Sequence, residues 1–107
     1  MVRNQSKHDL YVDYLLDKLS KLGKYDVIDT HVFYPDKESP VGECDVLGII
    51  YKDKGMELHY YEVKSSEEHY KRAMRQLTKF KDYFRTEDYT THGFVYIGKK
   101  DLLKQIF

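Results

Sequence analysis

Three ionisable side chains stand where a folded chain has least use for them. Asp45 interrupts the apolar run ECDVLGIIY, and Glu62 and Lys64 close the run MELHYYEVK. Each run reads as the middle of a sheet, where charges are costly unless paired, hydrogen-bonded or bound to a metal. Residues two apart on a strand share a face, so Glu62 and Lys64 point the same way. The tetrad KDKG between the runs is turn-like and predicts an antiparallel hairpin. With Asp53 and Lys54 at the centre of a two-residue loop, Asp45 lies opposite Glu62; with Lys54 and Gly55 there, it faces Lys64. Either register gathers all three charges on one face. Two carboxylates so placed repel unless something positive lies between them, and a divalent cation with oxygen ligands suits the position. A lysine beside such an ion orients and activates a water, or stabilises charge growing on a phosphate. The trio therefore points to metal-assisted hydrolysis of a phosphodiester. The same residues also fit an ordinary cross-strand Asp–Lys pair on a solvated sheet face, and isolated ExK triplets are common.

The elements that would position these residues follow from periodicity. Ser6 is a candidate N-cap, and Val12, Leu15, Leu16, Leu19 and Leu22 form one helical stripe before Gly23 ends the helix. YDVIDTHVFY is rich in β-branched and aromatic residues and predicts a first strand, closed by the loop YPDKESPVG that holds both prolines. The two runs of the hairpin are apolar at odd and even positions, Val46 and Ile50 on one face and Leu47 and Ile49 on the other, so helices are expected on both sides of the sheet. SSEEHYKRAMRQLTKFKDYF opens with serines and acids suited to a helix N-terminus and places Tyr70, Ala73, Leu77, Phe80 and Phe84 on one stripe. GFVYIG predicts a further strand, and KDLLKQIF a small terminal helix. The expected order is helix, three strands, helix, strand, helix.

Composition sets outer bounds. A chain of 107 residues supports a single domain over residues 1–107. With 34% charged and 41% hydrophobic residues it reads as globular, and no apolar run approaches the roughly 20 residues of a membrane-spanning helix. The N-terminal stretch MVRNQSKHD lacks an apolar leader, so a cytoplasmic protein with no membrane association is expected. Basic and acidic residues balance at 18 each, so any attraction for nucleic acid must come from local clustering. The single cysteine, Cys44, permits neither an internal disulfide nor a four-thiolate cluster. Most of the eleven tyrosines are expected in sheet and core packing.

With the charged trio placed on this order of elements, the chain resembles the PD-(D/E)xK nuclease superfamily over roughly residues 6–98. Gly42-Glu43-Cys44-Asp45 and Glu62-Val63-Lys64-Ser65 are most similar to motifs of archaeal Holliday junction resolvases and RecB-type nucleases. The resemblance implies an α/β fold with a restriction-endonuclease-like αβββαβ core, a mixed sheet between helices. It also implies Asp45, Glu62 and the backbone carbonyl of Val63 as ligands of Mg²⁺, or of Mn²⁺ as a substitute, with Lys64 serving the nucleophilic water. RecB-type relatives carry a glutamine on the following helix with an aromatic residue four positions on, and Gln76 matches, with Phe80 in place of the usual tyrosine. The family's first helix supplies a glutamate. Here Asp9 falls at the margin of the apolar stripe while Asp13 and Asp17 turn outward, so Asp9 is the candidate, with His8 on the apolar side close by. The sequence departs from the family in lacking a proline before the motif aspartate and in offering the shorter aspartate on helix one, which would fit reduced or manganese-dependent activity. The four cysteines of some relatives are absent, so no iron–sulfur cluster is expected.

Lys71, Arg75 and Lys79 repeat every four residues on the second long helix with Arg72 beside them, a basic stripe that could follow a phosphate backbone or simply face solvent. A small domain without a separate DNA-reading module has little surface for reading bases, which favours branched DNA recognised by shape. Symmetric cutting of a Holliday junction, the step that resolves DNA recombination and repair intermediates, requires two sites and hence a homodimer. A non-catalytic module that binds nucleic acid or protein on the same fold is the alternative, and an RNA-directed nuclease a third reading.

Overall fold

The computed structural model describes residues 6–107, so most of the N-terminal stretch read above as carrying no leader lies outside the described residues. The chain is mixed α/β. Helix α1 (Lys7–Ser20) is followed by strands β1 (Val27–Tyr34), β2 (Gly42–Tyr51) and β3 (Met56–Lys64), helix α2 (Tyr70–Tyr83), and strands β4 (Tyr89–Ile97) and β5 (Leu102–Gln105). The five strands form one sheet in chain order. Pairing is antiparallel except between β3 and β4, which run parallel because α2 carries the chain back across one face.

Each helix seals one side. Val12, Leu15 and Leu19 of α1 pack with Val46, Tyr61, Val63, Phe94 and Tyr96. Ala73, Leu77 and Phe80 of α2 pack with Cys44, Leu58, Tyr60, Val95 and Ile97 on the other side. These are the stripes that the helical spacing predicts. Ser6 Oγ accepts the Asp9 N–H at 3.1 Å and starts α1. The helix stops at Ser20, short of Leu22, which is 66% exposed and not part of the stripe. Ser66 gives α2 no side-chain cap; a 3₁₀ turn over Glu67–His69 leads in instead, and Ser66 Oγ bonds Glu68.

The hairpin resolves the two registers in favour of Asp53 and Lys54 at its centre. Tyr51 pairs with Met56 and Val46 with Tyr61, and the Lys52 N–H bonds the Gly55 carbonyl at 3.1 Å. Gly55 sits at φ 85°, with the Asp88 carbonyl where a Cβ would project, so both the turn and the neighbouring loop need glycine there.

The terminal segment corrects the sequence reading. KDLLKQIF is not a helix: after a 3₁₀ turn over Gly98–Lys100 and Asp101 at φ 47°, Leu102–Gln105 run back as β5. Phe94 to Ile97 of β4 pair with Gln105 to Leu102. An eight-residue segment gains too little from its own helical turns to resist this, while β4 offers an open edge of backbone donors and acceptors. Among the described residues no helix is long and apolar enough to cross a membrane.

Candidate active site

Near one end of the sheet, β1 and β2 change face together. Ile28 packs under α1 and Val32 under α2, although residues four apart on a regular strand share a face; His31 between them has φ 52°. Cys44 and Leu47, three apart, likewise both pack with the α2 cluster. The shift frees Asp45 from the ordinary alternation. Regular β2–β3 pairing ends at Val46 and Tyr61, and beyond that pair the Asp45 carboxylate accepts the Val63 N–H at 2.8 Å. A side chain thus stands in for the missing ladder acceptor.

Asp45, Glu62, Lys64 and Gln76 line one cavity of about 130 Å³, together with His8, Tyr34, Glu43, Tyr60 and Lys79. Asp45 is 7% exposed and Glu62 2%. Lys64 Nζ lies 3.1 Å from Glu62 Oε2, and the Tyr60 hydroxyl donates to Glu62 Oε1 at 2.6 Å. With its amide nitrogen turned to the carboxylate, Gln76 also donates to both Glu62 oxygens. On the opposite side of the cavity His8 Nε2 is 3.3 Å from Asp45 Oδ2 and 3.1 Å from the Val63 carbonyl. Both partners are acceptors, so that nitrogen carries a proton. One N–H donor sits where two oxygens meet.

The electrostatics separate the two acids. Burial and the Asp45 charge push the Glu62 carboxyl up to about 7, against the Tyr60 hydrogen bond and the Lys64 charge. Burial acts on Asp45 in the same direction, but hydrogen bonds from His8, Glu62 and the Val63 N–H outweigh it and hold its pKa below the usual carboxylate value. The bond to Asp45 raises His8 above the ordinary histidine value. Below about pH 7, with no cation bound, the pair of acids therefore favours a single negative charge. A divalent cation could take the place of the Glu62 proton. The Asp45, Glu62 and Glu43 carboxylates line the cavity, and the Val63 carbonyl shares His8 Nε2 with Asp45 beside it, a hard oxygen set that could hold Mg²⁺ or Mn²⁺.

Of the residues expected from sequence, Asp45, Glu62, the Val63 carbonyl, Lys64 and Gln76 come together. Asp9 does not line the cavity: its carboxylate lies 3.9 Å from both His8 Nδ1 and His31 Nε2, and the neighbouring His8 makes the contact to Asp45. Lys71, Arg72, Arg75 and Lys79 are exposed on α2. Arg72, Arg75, Gln76 and Lys79 line a shallow depression, and Gln76 and Lys79 also border the cavity, so the basic stripe runs to its rim. Tyr60, Glu43 and His31 join the site without a place in the sequence-based set. Tyr60 is accessible to the alternation that joins Glu62 and Lys64, being two residues before Glu62. His31 is not, since its place beside Glu43 and Asp45 depends on the β1–β2 register across a long loop. No protein-family model matches the chain, and comparison with curated proteins and with solved structures gives no match either.

Proposed function

We propose that the chain is a Mg²⁺-dependent endodeoxyribonuclease of the PD-(D/E)xK type acting on branched DNA, with Holliday junctions as the specific substrate. The observation that carries this reading is the meeting of two buried acids and a lysine at one cavity, with the Val63 carbonyl beside Asp45, and a rim that continues into a basic helix face. Asp45, Glu62 and the Val63 carbonyl would hold the ion, with Mn²⁺ as a substitute. Bound there, it supplies Lewis-acid polarisation of the scissile phosphate. Lys64 orients the attacking water and offsets the negative charge that grows as the water oxygen joins phosphorus and the ester oxygen leaves. Gln76 and Tyr60 fix the Glu62 carboxylate, and His8 fixes Asp45. Arg72, Arg75, Lys79 and Lys71 hold the phosphate backbone. Two copies would present paired sites to the two symmetric strands of a junction.

The test is incubation with synthetic four-way junctions, flaps, duplex, single strands and RNA, with Mg²⁺, Mn²⁺ or chelator. Junction cleavage that needs a divalent ion and disappears in Asp45→Asn and Lys64→Ala is expected. Binding with no cut in any metal would make the chain a non-catalytic module and end the proposal, and preferential cutting of RNA would reassign the substrate.

A further inference from the structure

The opposite face of the sheet carries a second cluster of metal-ligating side chains. Glu57 and His59 alternate with Leu58 and Tyr60 on β3, and so point away from the Glu62 cavity. Glu57 is five residues from Glu62, roughly 16 Å at the rise of an extended strand. His59 pairs in register with His92 of the parallel strand β4. Their ligand atoms, with that of Glu57, all lie within 4.8 Å of one another. Glu57 Oε1 is 2.9 Å from His92 Nε2 and 3.4 Å from His59 Nε2. Donors about 2.0–2.1 Å from a tetrahedral ion are about 3.3–3.4 Å apart, so the spacing needs little adjustment.

His59 supplies an independent pointer. The residue is 4% exposed, and its buried Nε2 has only the Glu57 carboxylate before it, at 3.4 Å and without hydrogen-bond alignment. Its other nitrogen, Nδ1, lies 2.8 Å from the Tyr25 hydroxyl, which also contacts the Tyr61 hydroxyl. If Tyr25 donates to Tyr61, its oxygen accepts a proton from Nδ1, and the bare Nε2 lone pair faces the Glu57 carboxylate. Two electron-rich groups then confront each other, and a cation between them satisfies both.

We propose that Glu57 Oε1, His59 Nε2 and His92 Nε2 bind a divalent first-row transition metal of the Zn²⁺ class, clamping β3 to β4 on the face opposite the oxygen-donor cavity. Two imidazoles and one carboxylate are borderline donors that suit zinc and its neighbours and are poor for magnesium. Glu57 and His92 are partly exposed, so an ion has a way in and a position remains open to water. Lys52 engages the other Glu57 oxygen at 3.5 Å and leaves Oε1 to the metal. Gln105 Nε2, 3.4 Å from His92 Nδ1, must turn its amide for that nitrogen to carry the proton.

The experiment titrates Zn²⁺ into the full chain carrying Asp45→Asn, which disables the other site, and follows binding by calorimetry and ring nitrogens by ¹⁵N NMR. A single bound ion that shifts the His59 and His92 resonances, with Mg²⁺ leaving them in place, is expected. On the same background His92→Ala and Glu57→Gln should each weaken Zn²⁺ by at least about 100-fold, and Tyr25→Phe, which removes a positioning residue, by about tenfold. Histidine resonances unmoved by equimolar Zn²⁺ would overturn the proposal without recourse to a ligand variant. So would unchanged affinity in either ligand variant.

Discussion

The Asp45 carboxylate accepts the backbone N–H of Val63 at 2.8 Å, next to the point where the regular β2–β3 pairing ends. The bond separates what Asp45 does for folding from what its charge does. Asp45→Asn retains a side-chain oxygen for that N–H, so melting close to the parent is expected, with Mg²⁺ binding and cleavage lost. Asp45→Ala leaves the buried N–H unpaired and should cost about 1–3 kcal/mol in addition. Chemical denaturation of both variants checks this, and equal stabilities would refute it.

How much of this is legible in the sequence depends on whether local pattern or distant pairing decides each feature. Helix stripes and the β2–β3 hairpin are local: Ala73, Leu77 and Phe80 fall where a 3.6-residue period puts them, and Asp45 and Glu62 converge because the short turn sets their register. Gln76 is found in the same way, at the edge of that stripe. KDLLKQIF reads wrongly as a helix because its partner, the open edge of β4, is invisible to periodicity. His8 and Asp9 differ by about 100° on a helix whose first turn the pattern places only to a residue or two, so the choice between them needs the cap at Ser6.

Glu62 makes the ion-free fold pH-sensitive. Its carboxyl, raised from 4.5 to about 7, keeps in the folded chain a proton that the unfolded chain has already lost, so stability falls as pH rises through that window. His8, also raised, contributes in the same direction as its proton leaves. Glu62→Gln abolishes only the Glu62 part. The variant is expected to be more stable than the parent at pH 8 without divalent ions, by up to roughly 3 kcal/mol, and to show a flatter slope between about pH 5 and 8. Thermal melts across that range decide it, and a variant less stable at the alkaline end would count against the assigned charge pattern.

Lys64 competes with a cation for Glu62, since its ammonium is 3.1 Å from Oε2. Lys64→Met should therefore bind Mn²⁺ at least as tightly as the parent while junction cleavage falls by about 100-fold or more, the scale of losing one group that stabilises transition-state charge. Calorimetry and single-turnover kinetics on the same preparations separate the two effects. Parallel loss of ion binding and cleavage would instead make Lys64 a structural partner of Glu62.

The α2 stripe makes a prediction that is independent of the chemistry. Arg75 and Lys79 are exposed and line the depression beside the cavity, yet among the described residues no hydrogen bond or ion pair involves either. Charges left in solvent at that position can neutralise phosphates and release the counterions condensed on DNA, which makes binding salt-dependent. Replacing both by glutamine should weaken junction binding and reduce the slope of log affinity against log salt by about 2, one unit for each phosphate that is no longer neutralised. Because Lys79 also borders the cavity and Arg75 does not, Arg75→Gln alone should leave the saturated cleavage rate unchanged and act only through affinity. A salt slope unaltered in the double variant would place the DNA on another face and leave the stripe as solvated surface.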